Sequence, residues 1–257
     1  MLATVECKET PVGLKSFLHD LLTPFEIEAN KQSVPGGDPF YRVGVPYYRG
    51  EIPTVRTAEK LKKLKGSVIF DINFPCDENT RCLEFHPSVY PSLLLFNTFT
   101  DCIPELCLPP MESSLTVYDS SGIYSQIIEK VLPFFSKIQI YTKEKPLYEK
   151  TAGILFDKYG ISLVVSEAPD GKPPKSTVAL CAEEVPFSDF YSGLLFTLSQ
   201  KHPPSASVIT AEGISLPAEY ELLRPSGVGS VLFASALYEK CNVKKLGELS
   251  FKKVTNK

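Results

Sequence analysis

The fold of this chain is decided by a stretch near its middle, SSLTVYDSSGIYSQIIEKVLPFFSKIQIYTKEKPLYEKTAGILFDKYGISLVVS, which runs from Ser113 to Ser166. Three short apolar runs in it, LTVYD, KIQIYT and ISLVVS, are rich in β-branched and aromatic residues and are typical of buried strands. A longer segment with apolar residues at helical spacing follows each of the first two runs. The stretch therefore predicts strand, tight turn, helix, strand, helix, strand.

Both intervening segments carry helix boundary signals. Gly122 opens the first helix, and Pro146 stands at a favourable first position of the second, which ends at Gly160. The apolar face of the first helix is predicted to hold Ile123, Ile127, Ile128, Val131 and Leu132.

The same alternation continues toward the C-terminus. After a loop rich in Pro, Gly and Lys at 168–175, the run STVALCAEEV predicts a fourth strand, Phe187 to Leu198 a helix, and SASVITAEG a fifth strand. Strands that alternate with helices predict a Rossmann-like parallel sheet with helices on both faces. A last helix, Gly227 to Cys241, is rich in small residues, which favours close packing within the chain over a dimer contact. The oligomeric state stays open.

Residues 1–110 are predicted to form a smaller N-terminal α/β portion of unknown role, and residues 111–257 the Rossmann-like domain. Three prolines between Asp101 and Pro110 make a boundary there plausible. Pro91 to Phe99 is an apolar run that periodicity assigns equally to a helix or a strand. The other predicted elements of this portion are a helix at Gly13 to Leu22, a strand at Tyr41 to Val45, a helix at Arg56 to Leu64 capped by Gly66, and strands at Ser67 to Phe74 and Arg81 to Pro87.

Composition excludes several classes of protein. The chain has 257 residues, 43% of them hydrophobic and 22% charged, which is typical of a globular protein with a sizeable core. The formal charge of -3 argues against a general nucleic-acid surface and a polybasic membrane anchor. No apolar run approaches the length of a spanning helix, and the N-terminus lacks the pattern of a signal peptide. A cytoplasmic protein is therefore expected.

The candidate ligand site lies where the first three strands of the Rossmann-like domain end, because open α/β sheets bind ligands beyond the carboxyl ends of their strands. Serine hydroxyls and an amide at a helix start can bind a phosphate, and Thr or Lys at the next strand end can bind a ribose phosphate. NAD or NADP is the cofactor that such a site would take. The alternative is structural, with Ser and Asp as N-caps and Lys as a solvated charge. The candidate residues are Asp119, Ser120, Ser121, Gly122, Thr142, Lys143 and Ser166.

The order of elements resembles the shikimate dehydrogenase and amino-acid dehydrogenase-like family, in which about a hundred N-terminal residues precede a Rossmann-type unit. The likeness covers residues 113–170: IYTKEKPLYEKTAGILFDKYG is similar to the family's stretch in which an Asn-Arg-Thr phosphate clamp precedes a helix, and VVSEAP to the strand end that follows. The turn YDSSGIYS has one glycine where the family has a Gly-rich turn, and Tyr141 and Thr142 replace the Asn-Arg pair. The N-terminal half has no match to the family's catalytic Lys and Asp motifs. The resemblance thus implies an inherited fold with a degenerate cofactor site.

Other reactive side chains form no recognisable motif. The seven cysteines lack the spacing of a zinc site and are interpreted as buried free thiols. The histidines, His19, His86 and His202, are isolated along the chain. Glu183 and Glu184 at a strand end could act as an acid and base pair, although adjacent carboxylates more often flank a solvated loop. Neither a nucleophile elbow nor a P-loop is present.

Two functions from different classes remain open. The leading hypothesis is a binding or regulatory module, for a nucleotide or another small molecule, without dehydrogenase activity. The alternative is an NAD(P)-dependent oxidoreductase with a serine-based phosphate turn. A flavodoxin-like fold that binds another phosphorylated ligand is the third reading.

Overall fold

A computed structural model describes residues 1–8, 25–46, 51–167, 176–183 and 193–256. The chain divides into two compact units, Met1–Tyr90 with Leu216–Gly247, and Pro91–Ser215 with Glu248–Lys257. This division differs from the boundary near residue 110 that the prolines suggested, because the C-terminal region contributes to both units. The predicted helix at Gly13 to Leu22 and the loop at 168–175 lie outside the described residues.

The first unit contains a four-stranded sheet in the order β2-β3-β1-β4. β1 is parallel to β3 and β4, whereas β2 is antiparallel to β3. The predicted strand at Tyr41 to Val45 is confirmed, and the one at Ser67 is confirmed but shorter. The strands are β1 (Leu2–Lys8), β2 (Glu28–Gln32), β3 (Phe40–Pro46) and β4 (Ser67–Phe70).

Helix α1 (Thr54–Lys63) connects β3 to β4 and confirms the helix predicted at Arg56 to Leu64. Its buried residue Leu61 belongs to an apolar cluster with Val5 of β1. The predicted C-cap at Gly66 is wrong, because Lys65 has the positive φ of 49°. Gly66 instead lets the backbone lie close to Met1, since a Cβ at this position would be only 2.5 Å from the Met1 carbonyl oxygen.

The strand predicted at Arg81 to Pro87 is wrong. Arg81 ends a short helix, α2 (Glu78–Arg81), and the only strand-like contact of the segment is a single bridge between Val68 and Glu84. Asp77 starts this helix with a capping box shared with Thr80. A hydrogen bond from Thr54 and others from the helix start lower the pKa of Asp77 to about 2. Local capping therefore outweighs the apolar alternation of the segment.

Three further α-helices lie outside the two sheets. The apolar run at Pro91 to Phe99 is helical and forms part of α3 (Tyr90–Cys102). In the first unit, α5 (Ala218–Glu221) precedes α6 (Ser230–Lys240), which confirms the helix predicted at Gly227 to Cys241. Phe233 of α6 makes an edge contact with Phe40, and the ring centroids are 5.8 Å apart.

The second unit contains a seven-stranded sheet in the order β11-β10-β9-β8-β5-β6-β7. Counted from β5, the six parallel strands have the order 3-2-1-4-5-6 of a doubly wound Rossmann fold, which confirms the predicted fold class. The antiparallel strand β11 was not predicted. The strands are β5 (Ser114–Tyr118), β6 (Lys137–Tyr141), β7 (Leu163–Ser166), β8 (Val178–Cys181), β9 (Leu194–Thr197), β10 (Ser207–Ile214) and β11 (Phe251–Asn256).

Two predicted helices of this unit are wrong in part. The segment after Gly122 forms two short 3-10 helices, Ile123–Gln126 and Ile128–Phe134, and the second contains Pro133, which has no amide hydrogen to continue a helix. The C-terminal part of the helix predicted at Phe187 to Leu198 is wrong, because β9 lies there. Residues 187–192 fall outside the described residues. The other helix, α4 (Lys145–Tyr159), is confirmed with Gly160 in the left-handed region as its cap.

The main core of the second unit fills one face of its sheet. Phe99 of α3 contacts Phe196 of β9 with ring centroids 4.9 Å apart, and Phe96 contacts Tyr124 at 5.1 Å. Leu155 of α4 joins the same cluster.

Among the described residues, no helix is long and apolar enough to cross a membrane.

Cys181 belongs to a second apolar cluster of this unit, with Tyr118 and Tyr141, and provides a test of burial there. Burial raises the pKa of its thiol from about 9 to about 12, so the folded state retains a proton that the unfolded chain loses. The stabilisation is complete below about pH 9 and is lost as the pH rises toward 12, with a slope of roughly 1.4 kcal/mol per pH unit for one proton. We expect Cys181→Ala to reduce the slope of the unfolding free energy against pH, measured by urea denaturation between about pH 9 and 11, by the equivalent of one proton. An unchanged slope in Cys181→Ala would contradict this prediction.

Candidate functional site

The candidate site lies where the strand order of the second unit reverses. β5 and β8 are adjacent, and the chain continues from β5 to β6 on one side and from β8 to β9 on the other. In doubly wound sheets this is the switch point at which ligands bind, beyond the carboxyl ends of the strands. Asp119 and Ser120 follow β5 directly, and Ala182 and Glu183 follow β8.

Asp119 is buried, with 4% of its surface exposed. Its Oδ2 accepts hydrogen bonds from the Tyr124 amide at 2.7 Å and from the Tyr148 hydroxyl at 2.6 Å. Its own amide donates to the Tyr141 carbonyl at 3.0 Å. The carboxylate therefore caps the first 3-10 helix from inside the protein.

The two tyrosines around Asp119 stay protonated at neutral pH. Burial, reinforced by the charge of Asp119, raises the pKa of both Tyr124 and Tyr148 well above the ordinary value. The Tyr148 hydroxyl is thus a permanent donor to Asp119, and the Tyr124 hydroxyl donates to the Ser92 carbonyl at 3.1 Å. The two side chains hold the start of the turn rigidly.

Ser120 is bound by a second carboxylate. Its amide donates to Glu183 Oε1 at 3.2 Å, and its hydroxyl donates to the same oxygen. Both donors that Ser120 offers at the switch point are therefore used within the chain. The exposed side chain of Glu183 reaches across from the end of β8 to the turn after β5.

Gly122 has a φ of +71°, in the left-handed region where other residues are strained. A Cβ there would lie 2.8 Å from Leu147 Cδ1 and 3.1 Å from Glu144 Cβ. The turn thus packs against the first residues of α4. Ser121, its neighbour, is exposed to solvent.

The remaining predicted residues lie at the ends of β6 and β7. Thr142 is buried, its Oγ1 accepts the Glu144 amide at 3.0 Å, and its own amide donates to the Ser166 carbonyl at 3.1 Å. Lys143 is exposed. The structure therefore brings the candidate residues of three adjacent strands to one edge of the sheet, and their role in cofactor binding stays a prediction.

Two residues that shape the turn were not among the predicted site residues. Tyr148 lies one turn inside α4, and its only sequence signal is a polar aromatic on the otherwise apolar face of that helix. For Glu183, an acid and base role with Glu184 and a place in a solvated loop were both open, and in the structure it accepts a hydrogen bond from the Ser120 amide. Glu184 and His19 lie outside the described residues.

The other reactive side chains form no cluster here. Within the ranges that the structure describes, no group of three or more His, Cys, Asp and Glu is placed to bind a metal ion. His86 is exposed, and the His202 ring lies 3.4 Å from the Pro203 carbonyl. The buried thiol of Cys181 donates to the Glu183 carbonyl at 3.6 Å.

Comparisons with known proteins add a remote likeness of fold. Quinate dehydrogenase from Corynebacterium glutamicum, solved in complex with NAD, is 10% identical with a TM-score of 0.32, over 77% of this chain and 80% of that one. L-tryptophan dehydrogenase from Nostoc punctiforme is 8% identical with a TM-score of 0.31, over 91% of this chain and 70% of that one. No protein-family model and no curated protein matches the chain. Likenesses this weak do not bear on function, and the doubly wound class of the second unit rests on its strand order.

The conformation of Gly122 provides one test of the turn. We expect Gly122→Ala to lower the free energy of unfolding by about 1 to 2 kcal/mol, because the new side chain is strained at positive φ and meets Leu147. Gly153, inside α4, is the matched control, since a Cβ there has open space around it. Gly153→Ala should raise stability by about 0.5 to 1 kcal/mol. Urea denaturation of both variants measures the difference, and equal effects would contradict the strained turn.

The hydrogen bond from Tyr148 to Asp119 provides a second test. Tyr148→Phe removes a buried donor from a carboxylate, which should cost about 1.5 to 3 kcal/mol. Tyr159→Phe, at the other end of α4, removes a hydroxyl that donates to exposed Glu129 and should cost less than about 0.5 kcal/mol. Thermal and urea unfolding of the two variants compare these costs.

Proposed function

We propose that this protein is a binding or regulatory module built on a Rossmann-type frame and that it has no nicotinamide-dependent dehydrogenase activity. The observation that carries this proposal is the double use of carboxylates at the turn after β5, where Asp119 accepts the Tyr124 amide and Glu183 accepts both donors of Ser120. In cofactor-binding relatives of this fold, donors at the same turn are directed at a pyrophosphate.

Charge opposes a pyrophosphate at this turn. Two like unit charges about 4 Å apart near a protein surface repel each other by about 4 kcal/mol. A pyrophosphate at the turn would approach the carboxylates of Asp119 and Glu183 and would find the Ser120 donors already bound. Binding would therefore require breaking the hydrogen bonds of Ser120 as well as overcoming this repulsion.

Packing opposes it too. The fingerprint of dinucleotide-binding turns uses glycine so that the backbone can approach the pyrophosphate closely. At Gly122 the space beside the Cα is occupied by Leu147 and Glu144 of the chain itself. The glycine therefore serves the packing of α4 against the turn.

The alternative, an NAD(P)-dependent oxidoreductase, has one observation in its favour. Lys143 is exposed directly after β6, where a cation could meet a ribose phosphate. Thr142 does not support this reading, because its hydroxyl is buried and accepts the Glu144 amide.

A thermal-shift panel with NAD, NADP, their reduced forms and FMN distinguishes the two functions. A ligand at about a hundred times its dissociation constant adds about 2.7 kcal/mol to stability. That gain would raise the midpoint by roughly 5 to 10 °C. We expect no such shift with any nicotinamide cofactor, and no turnover with hydroxy-acid substrates. Turnover of NAD or NADP with any hydroxy-acid substrate would overturn the proposal, and a shift without turnover would reject the argument that the turn is closed to a pyrophosphate.

Matched variants make a positive shift interpretable. If a cofactor did bind across this edge, Lys143→Ala would weaken binding, whereas Lys150→Ala, at an exposed position within α4, would not. A shift insensitive to Lys143→Ala would place the ligand elsewhere on the protein and would reject the serine-based turn as its site.

A further inference from the structure

Two cysteines of the first unit, Cys7 and Cys76, lie at the carboxyl end of its sheet. Both side chains are half-buried. Both pack against the same apolar cluster, which includes Val5, Phe70 and Phe74. The sequence gives no hint of a pairing, because 68 residues separate them and their spacings match no metal motif.

Strand register places Cys7 on the same face of the sheet as Phe70, and Cys76 packs against the apolar cluster of that face. Val5 of β1 pairs with Phe70 of β4, and paired residues point to the same face. Cys7 is two residues beyond Val5 and so shares that face. Phe74 stacks on Phe70 with ring centroids 4.9 Å apart, and Cys76 is two residues beyond Phe74.

The neighbours of the two cysteines hold them at the same edge. The chain turns back after β4 through the hydrogen bond from the Phe74 amide to the Asp71 carbonyl at 2.9 Å. Asp77, next to Cys76, accepts the Thr54 hydroxyl at 2.7 Å at the start of α1, the helix that covers this face. The segment that carries Cys76 is therefore tied to the start of α1, and the Asp71 amide before it donates to the Val5 carbonyl of β1 at 2.9 Å.

Electrostatics agrees with this proximity. Burial is the main cause that raises the pKa of Cys7, followed by the charge of Asp71 and then by that of Cys76. Burial likewise raises the pKa of Cys76. Both groups are thus protonated thiols at neutral pH. Because the thiolate is the nucleophile, their reaction with an oxidant is faster at higher pH.

We propose that Cys7 and Cys76 form a reversible disulfide when the protein meets a disulfide oxidant such as glutathione disulfide. One thiol loses its proton, its thiolate attacks glutathione disulfide, and one glutathione leaves. The second cysteine thiolate then attacks the mixed disulfide and releases the second glutathione. The pair gives up two electrons and two protons, which the two glutathione molecules carry away. The bond links the end of β1 to the segment after β4 and is independent of the function proposed for the second unit.

The test uses the full chain in glutathione redox buffers at about pH 8, where thiolate is accessible. Free thiols are blocked with N-ethylmaleimide, and intact mass and peptide mapping identify the linked cysteines. We expect one internal disulfide between Cys7 and Cys76, formed with an equilibrium constant at least about tenfold higher in the folded protein than in urea, because folding raises the effective concentration of the two thiols.

Variants decide whether the pair is specific. Cys7→Ser and Cys76→Ser should each abolish the internal disulfide, whereas Cys82→Ser, which removes an exposed thiol near Cys76 in sequence, should leave it intact. The proposal is overturned if no internal disulfide forms at the most oxidising ratio, if the linked peptides involve another cysteine, or if folding gives no advantage over urea. Circular dichroism of each serine variant verifies that it remains folded.

Discussion

The Asp119 carboxylate, buried and bonded to Tyr124 and Tyr148, is the constraint on which the switch point depends. A buried carboxylate is costly unless its oxygens are hydrogen-bonded. The bonds to Asp119 therefore fix the direction in which the chain leaves β5 and the position of α4 relative to that turn. The same bonds take up the amide of Tyr124, which would otherwise be available to an external anion.

A hydrogen-bonded interior carboxylate and a bound phosphate are alternative solutions to one problem. The turn after the first strand of a doubly wound sheet presents amides that need an acceptor. In this chain Asp119 satisfies one of them locally, and Glu183 satisfies Ser120 from the neighbouring strand. In this doubly wound sheet the donors of Tyr124 and Ser120 are thus satisfied by the chain's own side chains.

Much of this frame could be predicted from the sequence. The strands β5 to β8 follow from short apolar runs, because strands of a parallel sheet are buried on both faces. The bounds of helix α4 follow from Pro146 and Gly160. The segment after Gly122 was predicted as one helix because its apolar spacing fits a helix. Pro133, which has no amide hydrogen, lies in the second 3-10 helix, and Asp119 accepts the Tyr124 amide in the first. α2 was missed although its capping box of Asp77 and Thr80 is local in sequence, because the apolar alternation of Arg81 to Pro87 was given more weight.

The polar contacts of the site were the hardest to predict, because they join residues far apart in the chain. Ser120 follows β5 and Glu183 follows β8, and only the strand order makes those strands neighbours. From the sequence, Asp-Ser-Ser-Gly fits both a phosphate turn and a capped turn, and the capped turn is the commoner use of Ser and Asp before a helix. What distinguishes them is whether the donors meet a carboxylate of the same chain. A Rossmann-type strand order therefore predicts where a ligand would bind, whereas the hydrogen-bond partners of Asp119 and Ser120 determine whether that place is available to one.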